Sequence, residues 1–411
     1  MELGKEIIVD IIRFNNEGDG VGIYNDLVIF VKGALIDEKV HIKITDIKKN
    51  YAVGKLIGIL VPSEERVMPV CPYYNQCGGC DIMHMSENLQ IEFKKKKIED
   101  IFKKVCNKEV EVKEVYSENN LYYRNKVFLR VSGNEIGYYK NKSNELIDIE
   151  KCMICDEKIN EVITKIREFI GYYKSHKINE VMIRIARDEI MVYLDNLNKR
   201  WYAKFIERLN QVNSIYVGKD LIYGIDTINQ KLNDLVFDIS PKSFFQVNPK
   251  VAEKMFEFAL KRVVDQNITV DLYSGTGTIA MGLAKRSRRV IAIESNKNAV
   301  EDAKSNMLFN DVDNIDFKLG KVEDLIDELK EINIDTLVLD PPRTGSDKKS
   351  LKALLKIKPK CIIYISCNPV TLARDYNVIR SMYDISDIKG FDMFPNTRHV
   401  ETVMVLEKKD A

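Results

Sequence analysis

Asp271-Leu-Tyr-Ser-Gly-Thr-Gly-Thr278 decides how the C-terminal part of this chain is read. It continues the apolar run Ile268-Thr-Val and leads into a helical stretch at residues 279–285, so a strand turns into a helix through two glycines. Glycines there allow a tight bend and close approach of the backbone to a ligand. Outward from this turn, strands and helices alternate. A helical pattern at residues 251–264 precedes it. After it come RRVIAIE, the helical NKNAVEDAKSNMLFN, IDFKLG, VEDLIDELKE, DTLVLD, SLKALLKI, KCIIYIS and TLARDYNVIRSMY. That rhythm specifies a parallel, doubly wound α/β sheet. The last two strands, near residues 385–391 and in VETVMVL, have no helix between them and should pair antiparallel at one edge.

The chain upstream is of a different kind. Glu6–Phe14, Leu27–Val31, Lys39–Ile47 and residues 51–60 alternate apolar and polar residues or are rich in Val and Ile, with turn signals such as NNEGDGVG between them. Five short strands fit a small barrel of the oligonucleotide-binding sort, or equally a β-rich docking module. Residues 61–69 read as a linker. Residues 86–105 form a helix carrying the lysine run 94–97, whose ordinary reading is a solvated face. From residue 110 to about 237 the pattern is mixed and strand-rich. Boundaries at 1–61, 62–237 and 238–411 follow.

A length of 411 residues, with 45% hydrophobic and 30% charged residues, fits a multidomain globular protein. No secretory signal or membrane-length apolar run is evident, which points to the cytoplasm. The net charge of +1 neither announces nor excludes a nucleic-acid partner, since a neutral total can hide a basic face.

Ligands of open α/β sheets gather beyond the C-terminal ends of the strands. Glu294 ends the second strand, where an acid can accept hydrogen bonds from both hydroxyls of a ribose. Gly275 and Gly277 alone leave a dinucleotide open as the ligand, because Ala280 at the third position is tolerated in that fingerprint. Asp340-Pro-Pro-Arg343 ends the fourth strand, and resembles motif IV of class I methyltransferases. Cys367 stands at the same end of the sheet in Ser366-Cys-Asn-Pro369, whereas Cys361 at the start of that strand is ordinary packing. A thiolate there suits a target carbon that is not itself nucleophilic. Addition at C6 of uracil makes C5 enolate-like, and the C5 proton must then leave to a base. Glu401, in the otherwise apolar strand after FPNTRHV, is the candidate base, and His399 has the same parity on the strand. Cys71, Cys77 and Cys80 sit in CPYYNQCGGC, with Cys152 and Cys155 in EKCMIC; either could complete a four-thiolate site for zinc or an iron–sulfur cluster.

SFFQVN at residues 243–248, DLYSGTGT, DPPR, SCNP and FPNTRHVE, in that order, resemble the RNA uracil-C5 methyltransferase family across essentially the whole chain. The N-terminal β unit resembles that family's TRAM domain, and the cysteine cluster its iron–sulfur site. Together they resemble the bacterial enzymes of 23S, large-subunit ribosomal RNA rather than the shorter transfer RNA enzyme. The resemblance implies a multidomain protein: an OB-like TRAM barrel, a central α+β iron–sulfur domain, and a C-terminal α/β class I methyltransferase domain. It implies Cys367 as nucleophile and Glu401 as base, with Gln246, Tyr273, Gly275, Glu294 and Asp340 holding S-adenosylmethionine. It also implies a [4Fe–4S] cluster on Cys71, Cys77, Cys80 and Cys152, leaving Cys155 free. Large-subunit ribosomal RNA is the implied partner, with no membrane and no obligate protein partner evident. Lys321, in GKVEDL, stands where some relatives carry a cofactor-binding Asn, so that contact stays unassigned. Two other readings compete. Methylation of an exocyclic amine usually wants an aromatic residue after the prolines, where Arg343 stands, and has no use for Cys367 and Glu401 together. A non-catalytic RNA-binding protein has no use for an intact nucleophile, base and glycine turn.

Overall fold

In the computed structural model, which describes residues 1–141, 143–263 and 268–409, the N-terminal strands close into a barrel. Alternation in Glu6–Phe14 sends Ile7, Val9 and Ile11 inward to meet Val31, Val40, Ile42 and Ala52. The barrel's fifth strand is Gly20–Tyr24, within and beyond the stretch read above as a turn. Its glycines serve close strand packing: a Cβ on Gly22 would lie 2.5 Å from Val9 and 2.6 Å from the carbonyl oxygen of Asp10.

A seven-stranded sheet forms the middle of the molecule. Helix Glu157–Tyr172 covers one face with Ile159, Val162, Ile163, Ile166, Phe169 and Ile170, an apolar stripe at helical spacing. The C-terminal sheet has eight strands. Five parallel strands run Ile315–Leu319, Arg289–Glu294, Ile268–Leu272, Thr336–Leu339 and Cys361–Ser366. Glu401–Lys408 follows antiparallel, then Tyr383–Phe391. The last two strands therefore pair as expected but are not the sheet's edge. Val115–Tyr116, from far upstream, adds a parallel strand beyond Tyr383–Phe391. The helix expected at 251–264 is Pro249–Lys261, and position 264 lies outside the described residues. Among the described residues no helix is long and apolar enough to cross a membrane.

The lysine run departs from its expected solvated face. Helix Glu87–Cys106, capped by the Ser86 side chain, packs on the outer helix Pro369–Ile379 of the C-terminal sheet, with Phe102 against Tyr376. Lys94 is fully buried, 2.5 Å from the equally buried Asp392, and Lys97 donates to the backbone carbonyl of Arg398 at 2.8 Å. Register on this helix, rather than composition, decides which lysines meet water. Losing one partner of a buried pair leaves an uncompensated charge, which costs about 3–5 kcal/mol.

Candidate active site

Two adjoining cavities open at the C-terminal ends of the parallel strands. The first, of about 800 Å³, is lined by Tyr273, Gly275, Glu294, Asn296, Lys321 and Asp340, among others. The second, of about 770 Å³, holds Cys367, Glu401, His399, Gln246, Arg343, Phe394 and Thr397. Phe244, Tyr273, Gly275, Thr276, Asp340 and Pro342 line both. Gln246 thus faces the second cavity rather than the first.

The glycine turn works as its sequence requires. Gly277 has φ +79°, and a Cβ there would press within 3.2 Å of Phe317, Ala303 and Met281. Tyr273, just beyond the strand, also has positive φ, a strained setting for an aromatic residue, and its hydroxyl meets that of Ser346 at 3.0 Å. Glu294 accepts from the backbone N–H of Gly275 at 2.9 Å and of Asn296 at 2.7 Å, which fixes its carboxylate at the cavity rim. A carboxylate has acceptor sites to spare for ribose hydroxyls.

Beneath the turn lies a concentration of acid. Asp271 is fully buried, and neither carboxylate oxygen has a hydrogen-bond partner of good geometry among the described residues. Burial, then the neighbouring Asp340 and Glu294, push its pKa well up, with the Ala280 amide opposing the rise. Burial raises Asp340 to about 7. Asp271, Asp340 and Glu294 converge here, and a positively charged ligand would relieve the repulsion that raises Asp271.

Cys367 stands between a strand and a helix. Ser366 closes the strand and accepts from the Asn368 N–H at 3.1 Å; the Asn368 side chain caps the next helix at Val370, and Pro369 takes its first turn. A thiol just before a helix N-terminus faces the helix's positive pole. The ladder pairs Ser366 with Thr402, so one further step in register sets Cys367 opposite Glu401. The loop after Asp340 is tied to the same helix: Asp375 accepts from the Ser346 N–H at 2.8 Å and from the Tyr364 hydroxyl at 2.6 Å.

Glu401 follows the loop at residues 392–400, which several segments clamp. Besides Lys94 on Asp392, Asn396 exchanges hydrogen bonds with Gln90, Arg398 pairs with Asp81 at 2.7 Å and Glu17 at 2.8 Å, and the Tyr123 hydroxyl donates to Pro395 O at 3.0 Å. Burial, and next Asp340, raise the Glu401 carboxyl to about 8. Burial, then Glu401 and Asp340, raise the Cys367 thiol to about 11, with Arg343 opposing. Burial, with Arg343, Arg398 and Lys97, lowers His399 to about 4, so its imidazole is neutral and a weaker proton acceptor than Glu401.

Cys71, Cys77, Cys80 and Cys152 line a third cavity of about 660 Å³ that touches the second at Gly78, Gly79 and Arg124. Burial raises the thiols of Cys71, Cys77 and Cys80, and each also feels the charge of Cys152. Cys155 is buried beside them, 3.6 Å from the Tyr138 hydroxyl. Among the described residues, no group of three or more His, Cys, Asp or Glu side chains is gathered as a single metal ion requires. Arg124 lines the second cavity without a sequence signal that singled it out, whereas Phe244 and Thr397 fall inside SFFQVN and FPNTRHVE without being picked out there.

A glycine-turn cavity beside a Pro-Pro loop, on a doubly wound sheet, defines a class I methyltransferase. Comparison with known proteins narrows the class. Residues 86–409 match the family described as tRNA (uracil-5-)-methyltransferase, and residues 1–57 match the TRAM domain. The chain is 37% identical to an uncharacterized RNA methyltransferase of Clostridium tetani, across 96% of this chain and 95% of that one. It is 33% identical to one of Staphylococcus aureus, across 97% of each. Among solved structures, the Pyrococcus abyssi tRNA (uracil-54, C5)-methyltransferase in complex with S-adenosyl-L-homocysteine superposes with a TM-score of 0.77. It is 29% identical, across 97% of this chain and 99% of that one. The chain belongs to the RNA uracil-5-methyltransferase family and carries a TRAM domain at its N-terminus.

Proposed function

We propose that this protein methylates C5 of a uridine in large-subunit (23S) ribosomal RNA, with S-adenosylmethionine as donor. The observation that carries the reading is that Cys367 and Glu401 line one cavity, which shares Asp340 and Tyr273 with the glycine-turn cavity. The acid cluster fits a sulfonium, and Glu294 fits a ribose. When bound, the donor would supply an electrophilic methyl group. The protein's own residues do the rest. The Cys367 thiol loses its proton to solvent, and its thiolate adds to C6 of the uracil. The C5=C6 electron pair makes C5 the nucleophile that takes the methyl group. Glu401 then removes the C5 proton, the double bond re-forms, and the sulfur leaves as thiolate, which regains a proton from solvent. Products are 5-methyluridine, S-adenosylhomocysteine and one proton.

Transfer RNA is the second reading. The Pyrococcus abyssi enzyme matches 97% of this chain, so the barrel and the cysteine-bearing region do not by themselves separate the two substrates. Mapping 5-methyluridine in both RNAs, from cells with and without this protein, decides between them. Loss of a mark from 23S RNA alone is the expected result, and loss from transfer RNA alone would reverse the assignment.

The third cavity's thiols suit a [4Fe–4S] cluster held by Cys71, Cys77, Cys80 and Cys152. A cube of iron and sulfide keeps its four thiolates farther apart than one ion does, and its charge relieves their mutual repulsion. There it would brace the segment from Cys80 to Asp81 that holds Arg398, with no part in the chemistry. Protein purified anaerobically should be brown and contain about four irons per chain. A colourless preparation containing zinc defeats this assignment.

A further inference from the structure

Strand Lys126–Ser132 divides its side chains between two environments. Val127, Leu129 and Val131 enter the core of the central sheet, so Lys126, Phe128 and Arg130 share the opposite face. Phe128 is 58% exposed there, and Tyr139 on the adjoining strand Glu135–Tyr139 is 41% exposed. Exposed aromatics grouped on one face signal a partner rather than a core. Each already has a cation against one face: Lys126 Nζ lies 4.9 Å from the Phe128 ring centre, and the Arg130 guanidinium 5.5 Å from that of Tyr139. Lys126 has no acidic partner among the described residues. Its cross-strand neighbour is a second cation, the buried Arg184, which donates to the carbonyl oxygens of Ser240 and Ser243. Burial, with Arg184, lowers Lys126 to about 7. Arg130 is ion-paired with Glu180, but at half-exposed positions where such a contact is weak and exchangeable.

This face borders the third cavity, the place proposed for the cluster, and the cavity of Cys367 and Glu401 lies next to it. Phe128 and Tyr139 line the third cavity, which meets the cavity of Cys367 and Glu401 at Gly78, Gly79 and Arg124. We propose that the face is a track for the single-stranded RNA flanking the target uridine, with Phe128 and Tyr139 stacking on bases and Lys126 and Arg130 meeting phosphates. The inference rests on the uridine reading above and adds the state of the RNA next to the target. Residues two apart on a strand are about 6.8 Å apart, comparable with the step between phosphates of an extended chain. A duplex hides its base faces, so stacking aromatics have use only for unpaired nucleotides. An enzyme that extracts one base must also hold the neighbours it has unstacked.

The test uses the full-length protein and a labelled single-stranded RNA carrying 5-fluorouridine, with Kd, KM and covalent adduct as readouts. Phe128→Ala should weaken binding roughly 5- to 100-fold, chiefly in KM, and Phe128→Tyr should restore it where Phe128→Leu does not. At about pH 6, below the lowered value of about 7 and so with Lys126 protonated, Lys126→Ala should flatten the dependence of log Kd on log salt by about 0.7. Unchanged affinity in Phe128→Ala, full restoration by leucine, or an equal loss with a fully paired duplex overturns the track. The uridine reading fails separately: if the wild-type protein forms no adduct yet still depends on Phe128 for single-stranded RNA, the track stands and the chemistry does not.

Discussion

A Cys367→Ala protein is expected to lose methyl transfer by roughly 10,000-fold or more and to form no adduct with RNA carrying 5-fluorouridine. Fluorine at C5 cannot leave as a proton does, so the wild-type reaction stalls after methyl transfer with sulfur still bound at C6. A band resistant to denaturation, which alanine at 367 should abolish, reports the bond directly. The thiol's setting adds a pH signature. Burial, Glu401 and Asp340 hold Cys367 near 11, above the ordinary thiol range. In the free protein it is therefore protonated at neutral pH. Below about pH 11 its thiolate fraction should rise tenfold per pH unit. Alkylation of Cys367, followed by mass spectrometry, should follow that slope and be slow at pH 7. Rapid alkylation at neutral pH would mean that the helix N-terminus and Arg343 outweigh burial. An adduct persisting in Cys367→Ala would move the nucleophile elsewhere.

The sheet and its ligand end were legible because their signals are local and repeat. Strand–helix alternation, two glycines at a turn, and acids or a cysteine at strand ends are all visible within a few residues of sequence. Contacts between distant segments were not. Lys94 reads as one of four similar lysines, and only the docking of its helix against residues 392–400 makes it the buried partner of Asp392. The strand Val115–Tyr116 is two residues long and is a strand only because Tyr383–Phe391 offers it an open edge. Gly20 and Gly22 look like turn residues, yet they serve close strand packing at Val9 and Ala34. The opposition of Cys367 and Glu401 lies between these cases. Each residue stands out in the sequence, but the antiparallel register that aligns them does not.

Glu401→Gln should separate the two halves of the reaction. Glutamine fills the same space and accepts no proton, so addition and methyl transfer can proceed while elimination stalls. Turnover should fall roughly 100- to 10,000-fold, and covalent RNA adduct should accumulate with ordinary uridine. If that protein instead turns over cleanly at the wild-type rate, Glu401 is not the base. The pH dependence follows from the same burial. Glu401 is raised from about 4.5 to about 8, so in the folded protein it holds its proton where the unfolded chain has released it. Its contribution to stability is present in full below about pH 4.5 and is lost as pH rises through about 8. Glutamine has no such proton to lose. The variant's unfolding free energy from urea titration should therefore decline less than the wild type's over that range, a difference on the order of a few kcal/mol. Asp271 and Asp340 are also raised and remain in both proteins, so the difference between the two curves reports Glu401 together with its coupling to Asp340 and Cys367. Catalysis carries the opposite sign. A base must be ionised, so wild-type kcat/KM should climb as pH passes about 8, where the fold is giving up the stability that Glu401's proton provides.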